Sequence, residues 1–510
     1  MAGPDMADLA GVVAVPGTGS QFALKEGRVA ARNSITLLFS FAASWAIGFA
    51  GRLIVPRQLG PELFGAFQFS DYFSATFFVI SILGFDTYIR KEVSVRAAHA
   101  SEFFGGLLVL RAAASLVALA LMLVACVLSH KPAYVRNLLL IFSLYQVLMI
   151  LNTSYATLLN AVSSVRRLSA LNVVAKCSWV VIVMAVAAVG GGAAGFAWAL
   201  VASEGLKAAA LTWIVRRELS LSFRIDLRAA RAALTASMPF WVVSVTGTLY
   251  ANADVSLMSF RTSDIEVGWY GAAVSLVGTM MLFTVIMHNV FLPMISRASA
   301  KSSELSAMTR RALELVVSLM TPVALFAALG AEIIVRVLFG ESFAPAAGSL
   351  RMLSAVVLLL YVSICPALVL TRLDRGWTVT WVSIGALVLN LALNWFAIPY
   401  GQHTWGAGGA GFAAAAVWAV CEVLNVATLL FLTAEYFIDR RNLVVFAKTG
   451  IACVAVALLH ATRPPTAATI ATEALLYVGL VVALRAVRVD EVIAFAKMVL
   501  RPAEAPAARS

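Results

Sequence analysis

Charge is the scarcest property of this sequence. Only 13% of its 510 residues are Asp, Glu, Lys or Arg, while 61% are hydrophobic; an ordinary soluble domain carries about 25% charged residues. That deficit excludes a soluble enzyme, and it equally excludes a disordered chain, which needs charge and low hydrophobicity to stay unfolded. Cysteine is sparse and scattered: Cys126, Cys177, Cys365, Cys421 and Cys453 stand far apart, each within an apolar run. No C-x-x-C pair and no His/Cys cluster occurs, so neither a disulfide framework nor a metal site is expected, and the thiols read as small packing residues. Long polar stretches between the apolar runs are also missing, which leaves no room for a separate catalytic domain. The segment 1–33 has no basic n-region leading into an apolar core. A cleaved signal peptide is therefore not expected, and the first apolar run serves as the uncleaved signal.

What is present is hydrocarbon-spanning length, repeated. A helix needs about 20 apolar residues to cross a bilayer, and the chain offers about 14 such runs. They fall near 34–55, 67–89, 104–128, 138–159, 168–189, 193–215, 238–259, 267–292, 312–329, 352–371, 378–399, 411–434, 443–461 and 467–484. They are too long and too evenly apolar for barrel strands, which alternate over about 10 residues, and only helices or closed barrels satisfy their backbone in lipid. The fold class is an all-α polytopic membrane protein.

The formal net charge is +12, and its placement argues against a nucleic-acid partner. With a cytoplasmic N-terminus, most Lys and Arg fall on one side. Lys25, Arg28 and Arg32 precede the first run; Arg90, Lys91 and Arg96 follow the second. Arg216, Arg217, Arg224, Arg228 and Arg231 follow the sixth, and Arg297, Lys301, Arg310 and Arg311 the eighth. The other side holds few, among them Arg57, Lys131, Arg261 and Arg463. This is the positive-inside asymmetry. It places both termini in the cytoplasm and the basic loops against anionic lipid heads.

The longest polar interruption, 216–237, divides the chain. Ile225, Leu227, Ala230 and Leu234 share one helical face there, with Arg224, Arg228 and Arg231 elsewhere, as in a short amphipathic helix lying in the membrane interface. The expected organisation is a cytoplasmic N-terminal segment (1–33), a first six-helix lobe (34–215), a cytoplasmic amphipathic connector (216–237) and a second six-helix lobe (238–434). Two appended C-terminal helices (443–484) and a cytoplasmic tail (485–510) complete it. The halves echo one another. Glu62-Leu-Phe-Gly65 has a counterpart in Glu266-Val-Gly268. The glycine run Gly190 to Gly192 leads into Gly195-Phe196-Ala197, as Gly406, Gly408 and Gly409 lead into Gly411-Phe412-Ala413. Each of the latter helices carries one acid, Glu204 or Glu422. Both halves start on the same side, so the repeats are parallel, two lobes around a central cavity.

Four groups of residues carry a family resemblance. The first is Arg57-Gln-Leu-Gly60-Pro61-Glu62-Leu-Phe-Gly65-Ala-Phe67 with Gly84-Phe-Asp86-Thr-Tyr-Ile-Arg90-Lys-Glu92. The second is Asp254-Val-Ser-Leu-Met, Glu266-Val-Gly268-Trp-Tyr270-Gly-Ala-Ala273 and Leu292-Pro293-Met-Ile-Ser296-Arg297. The third is Val337-Leu-Phe339-Gly340-Glu-Ser-Phe343-Ala-Pro345. The fourth is Asn390-Leu-Ala-Leu-Asn394, Ile398-Pro399 and the loop from Gly406 to Gly411. In this order the chain resembles the Wzx-type oligosaccharide flippases of bacterial polysaccharide synthesis. Their superfamily also contains lipid II flippases and multidrug and toxin extrusion transporters. The resemblance implies a multi-pass protein of the bacterial plasma (inner) membrane, not an enzyme, which moves a polyprenyl-pyrophosphate-linked oligosaccharide outward by alternating access. It also implies contact with membrane lipids, a polysaccharide polymerase and a chain-length regulator as candidate partners, no cofactor, and a proton or sodium ion as candidate coupling ion.

Ionisable groups at membrane depth cost at least about 2.5–3.5 kcal/mol and so carry functional meaning by default. Glu204 and Lys207 lie one turn apart and can pair; Asp86, near Arg90 and the cytoplasmic surface, and Asp71, near the outer surface, both suit local capping or pairing; Arg351 can snorkel at the outer mouth. Arg52 lies close enough to its helix end to snorkel or to line a cavity. Arg111 and Lys176 sit two turns inside their runs with no acid within one turn. Each needs a partner on another helix, a water-filled cavity or an anionic ligand. His288 could titrate as a proton-linked site near neutral pH, but a hydrogen-bonded packing role suits it better. Arg52, Arg111, Lys176 and Lys207 are the candidate cationic cavity for an anionic carrier lipid; Asp254, Glu422 and Glu204 are the ion-coupling candidates. A cation-coupled drug exporter of the same superfamily would instead favour an acidic cavity. A polysaccharide polymerase or ligase would need a larger outer loop bearing catalytic groups.

Topology is directly testable. Single cysteines introduced at Arg224 and Lys131 are expected to react with impermeant thiol reagents from opposite faces of the membrane; same-side labelling overturns the lobe assignment.

Overall fold

The computed structural model describes residues 18–86, 89, 100–161, 165–218, 225–281, 302–437, 439–463 and 466–484. The Arg90–Glu92 and Leu292–Arg297 motif pieces, His288, residues 219–224 of the connector and the tail 485–510 lie outside the described residues. In chain order the helices are α1 (Thr18–Phe78), α2 (Ala100–Leu128), α3 (Ala133–Ala161), α4 (Val165–Ala188), α5 (Ala193–Glu218), α6 (Leu227–Arg261), α7 (Asp264–Met280) and α8 (Ser302–Leu329). They continue with α9 (Ala331–Phe339), α10 (Ala346–Arg372), α11 (Gly376–Trp405), α12 (Gly409–Leu432), α13 (Ala434–Phe437), α14 (Arg440–Ala461) and α15 (Ala467–Ala483).

Among the described residues, 11 stretches are long and apolar enough to cross a membrane. The difference from the expected number has three sources. The first two runs form one kinked helix, α1. Half of the run 267–292 lies outside the described residues, and α15, at 17 residues, is short. Many apolar side chains point outward, such as Leu116 on α2, Phe396 on α11 and Phe431 on α12. Lipid removes the penalty that water would impose on them.

The kink in α1 is a reversal. Gly60 has φ 69° and ψ 173°, a backbone open to glycine because it has no Cβ, and Pro61 then starts the second arm with φ already helical. On a straight helix Asp71 would lie about 28 Å from Arg52, yet the charge of Arg52 acts on Asp71. The chain therefore folds back at Gly60. The second arm gives way to a 3-10 turn, Val79–Ile82, and ends in left-handed backbone at Leu83 and Gly84.

The first arm of α1 packs on α4 through Gly48 and Gly51, the second arm meets α3 at Phe67 with Phe142 and at Asp71 with Gln146, and α11, α12, α10, α8 and α6 pack together further along the chain. The second arm of α1 joins these groups by lying against α7. There Gly65 faces the Asp264 carbonyl and Gly268 faces the Pro61 carbonyl so closely that a Cβ on either would collide. Around this crossing Phe64 packs on Phe343, and Phe69 and Phe73 on Phe260, with centroids 5.9, 5.7 and 5.6 Å apart. Polar contacts reinforce the same end. Arg57 donates to the Val337 carbonyl and, at 2.7 Å, to the Leu338 carbonyl. Lys131 donates to the backbone oxygen (2.5 Å) and hydroxyl (2.7 Å) of Ser259 while lying over Phe69 and Phe260. Tyr134 donates to Asp264 at 2.7 Å. At the opposite end Ser237 donates to the Leu83 carbonyl at 2.8 Å, and Gly84 and Gly106 admit the backbone of α6 and its leading residue Asp226.

Two local expectations change. Residues 227–237 form no separate interfacial helix. They are the first turns of α6, capped by the Asp226 carboxylate accepting from the Arg228 and Ala229 amides, and the helix continues unbroken to Arg261. Arg351 does not simply snorkel: it pairs with Glu332 at 3.2 Å. At the C-terminal side α14 and α15 pack on each other and on Leu325, Phe326 and Leu329 of α8, and His460 Nδ1 lies 3.1 Å from the fully buried Glu473 carboxylate.

Candidate functional site

Two polar clusters lie at membrane depth. The first grows from the face of α1 that meets α4. Gly51 leaves room for the Trp179 ring, and Gly48 lies against the aliphatic stem of Lys176. The Lys176 ammonium sits 5.4 Å from the Trp179 ring centroid, where the ring quadrupole attracts it. The charges of Glu204, Arg52 and Lys207 all act on Lys176. Three of the four expected cavity cations, Arg52, Lys176 and Lys207, thus converge from α1, α4 and α5. Among the described residues none of the three forms an ion pair, and Arg52 and Lys176 are exposed.

Glu204 belongs to this cluster, although it does not pair with Lys207. Its carboxylate accepts from Asn152 Nδ2 at 2.7 Å, and its backbone oxygen accepts from the same amide at 2.9 Å. The reason is packing: α3 lies on α5, and a buried amide must find acceptors, so Asn152 reaches the carboxylate and leaves the lysine unpaired. Asp71, expected to cap near a surface, accepts instead from Gln146 Nε2 at 3.3 Å, beside Tyr145.

Arg111 leaves the cavity set. It is 4% exposed and pairs with Asp86 at 3.1 Å. It also donates to Ser154 and to the Ile82 carbonyl, and its guanidinium lies 5.8 Å from the Phe85 ring centroid. The left-handed turn at Leu83 and Gly84 brings Asp86 back against α2, where Arg111 of another element meets it; Arg90, beside which Asp86 was expected to be capped or paired, lies outside the described residues.

The second cluster gathers the other two acids. Asp254 on α6 accepts from the Tyr270 hydroxyl at 3.0 Å and from Asn394 Nδ2 at 2.8 Å, and that amide also reaches Asn390 Oδ1 at 3.2 Å. Glu422 on α12 accepts from the Tyr250 hydroxyl at 3.1 Å and from Asn425 at 3.0 Å. Both carboxylates act on Tyr250, which lies between them. Every one of these donors is neutral, and among the described residues neither acid forms an ion pair.

Gln146, Asn152, Tyr145 and Tyr250 were absent from the sequence-based site, and Asn390 and Asn394 were present there only as motif residues. Two asparagines one turn apart in an apolar run were the available signal, because polar side chains in lipid seek partners across helices.

A family model described as "polysaccharide biosynthesis protein" matches residues 30–299. The chain belongs to this family. Among curated proteins none matches it. The fold of this family member is shared by a lipid II flippase, MurJ, in an inward closed conformation (TM-score 0.66, 12% identity, covering 90% of this chain and 100% of that one). It is shared by a multidrug resistance MATE family transporter of the MOP superfamily in an inward-facing conformation (TM-score 0.60, 14% identity, 79% and 98% covered). A MOP superfamily transporter from Pyrococcus furiosus is also similar (TM-score 0.56, 14% identity, 83% and 99% covered).

The Arg111–Asp86 pair predicts a stability effect. Arg111→Ala removes a buried guanidinium that pairs with the part-buried Asp86 carboxylate and bonds Ser154 and the Ile82 carbonyl, at a cost of about 3 kcal/mol. Thermal unfolding in detergent is expected to show a large loss for the single variant and partial recovery when Asp86→Asn is added. A double-variant loss equal to the sum of the Arg111→Ala and Asp86→Asn losses would mean the two groups act independently.

Proposed function

We propose that the protein is a flippase that moves a lipid-linked oligosaccharide, carried on a polyprenyl pyrophosphate, from the cytoplasmic to the outer leaflet. The observation that carries this reading is the set of three cations, Arg52, Lys176 and Lys207, held together at membrane depth with no ion pair among the described residues. Cations in that position cost free energy unless water or an anion attends them. A pyrophosphate supplies the anion and forms charge-assisted hydrogen bonds with guanidinium and ammonium groups. The sugar supplies the need for a cavity, because each hydroxyl crossing hydrocarbon without a partner costs roughly 2–7 kcal/mol.

With both termini cytoplasmic, the end closed by Arg57, Lys131 and Tyr134 is the outer one. In that orientation the contacts of Lys131 with Ser259 and of Arg57 with α9 keep substrate from leaving outward, and the lobes must part there to release it. A drug exporter for cationic compounds fits less well. The acids it would present, Asp254 and Glu422, are buried and already accept from Tyr and Asn side chains. Those two acids suit the coupling ion. Each can take a proton or a sodium ion without breaking an ion pair among the described residues, and the change in lobe charge biases which side the cavity faces.

Two measurements test this. Arg52→Ala and Lys176→Ala are each expected to weaken binding of a polyprenyl pyrophosphate about tenfold or more, the loss of one charge-assisted bond, and to abolish polysaccharide export with the protein inserted and abundant. Lys176→Arg is expected to keep part of the function. Full export by both Ala variants overturns the cationic site. For the acids, Asp254→Asn and Glu422→Gln are expected to slow gradient-driven flipping in vesicles more than they weaken binding. An unchanged response to imposed proton and sodium gradients would assign both acids a structural role.

A further inference from the structure

Asp71 has no part in the reading above, yet the reversal at Gly60 sets it inside the cationic cluster. Its Oδ1 accepts from Gln146 Nε2 at 3.3 Å, and Gln146 is itself buried. The groups that face it come from each neighbouring element. Arg52 comes from the first arm of α1, Tyr72 from its own arm, and Tyr145 with Gln146 from α3. Glu204 of α5 acts on the same Tyr145, and Tyr72 acts on Tyr270 of α7. The charges of Glu204, Arg52 and Lys207 in turn act on Lys176.

Arg52 is thus held in the field of a carboxylate that does not occupy its donors: among the described residues no ion pair joins Arg52 to Asp71. A phosphate oxygen arriving at Arg52 meets the Asp71 carboxylate as a like charge. Two such charges close together in a partly buried site repel strongly, and the carboxylate is the group that can remove the repulsion by taking up a proton.

We propose that Asp71 is the internal competitor of the phosphate at Arg52, so that binding of a pyrophosphate-bearing lipid is linked to uptake of one proton by this carboxylate. Ionised, Asp71 weakens the site for anions; protonated, it becomes a hydrogen-bond donor and admits them. This rests on the anion site described under Proposed function and adds its pH regulation. The sign follows from linkage: a group that binds a proton more tightly in the complex makes affinity rise as pH falls.

The experiment compares the full-length protein with Asp71→Asn for binding of geranylgeranyl pyrophosphate between pH 5 and 8. Titration of the probe cancels in the ratio. Asp71→Asn is expected to bind more tightly than the parent at the alkaline end. That advantage should shrink by up to about tenfold per pH unit as the carboxylate protonates, and Asp71→Glu should restore the parent's pH dependence. Calorimetry in two buffers of different ionisation enthalpy is expected to show about one more proton taken up by the parent than by Asp71→Asn. Parallel pH profiles of parent and Asp71→Asn overturn the proposal and leave the anion site standing. Should Asp71→Asn fail to fold, a parent that takes up no proton on binding overturns it equally. If the probe does not bind the parent, or binds Arg52→Ala as well as the parent, the anion site itself fails and this inference with it.

Discussion

The reversal of α1 at Gly60 is the constraint from which the rest of the arrangement follows. One residue in left-handed backbone, followed by a proline, turns two membrane-spanning runs into a hairpin. Its first arm offers Gly48, Gly51 and Arg52 to α4, while its second offers Gly65 to α7 and Asp71 back to the first. The anion cluster and the contact between the two halves of the chain are therefore built on the same element. A side chain at Gly65 or Gly268 would part the helices where the backbone of one meets the backbone of the other, and no rotamer change could relieve it.

Charge inside this protein is sorted by partner. Arg111 has a carboxylate, a hydroxyl and carbonyl oxygens around it, and it acts as a brace between α2, α3 and the end of α1. Among the described residues Arg52, Lys176 and Lys207 lack such a partner, while Asp254 and Glu422 accept from neutral Tyr and Asn side chains. Composition alone treats these groups as equivalent. Their neighbours separate a structural ion pair from cations and acids able to respond to something that arrives.

Much of the architecture was legible in the sequence, for a physical reason. Lipid forces continuous apolar helices, so span positions follow from hydropathy, and glycine with proline marks the reversal at Gly60. The partners of the intramembrane charges were not legible. Local reasoning sees neighbours three or four residues away, and on that basis paired Glu204 with Lys207 and saw no partner for Arg111. The structure gives Glu204 to Asn152 and Arg111 to Asp86, across helices whose contact no spacing encodes. Asp254 and Glu422 were marked as unusual because they interrupt apolar runs, but their meeting around Tyr250 depends on how α6, α11 and α12 pack. The start of α6 was misread for a different reason: a basic amphipathic stretch looks the same whether it lies along the interface or leads straight into a span.

The His460–Glu473 contact at the C-terminal side bears on how the chain enters the membrane. Glu473 is fully buried on α15, and its carboxylate meets the imidazole of the preceding helix, α14. An acid on a lone helix resists transfer into lipid by about 2.5–3.5 kcal/mol, and α15, at 17 residues, is shorter than each of the 11 stretches long enough to cross a membrane. Paired with His460 the acid has its partner before it leaves the polar environment. The last two helices therefore partition most favourably as a preformed hairpin, and the order of insertion is written into a contact between side chains.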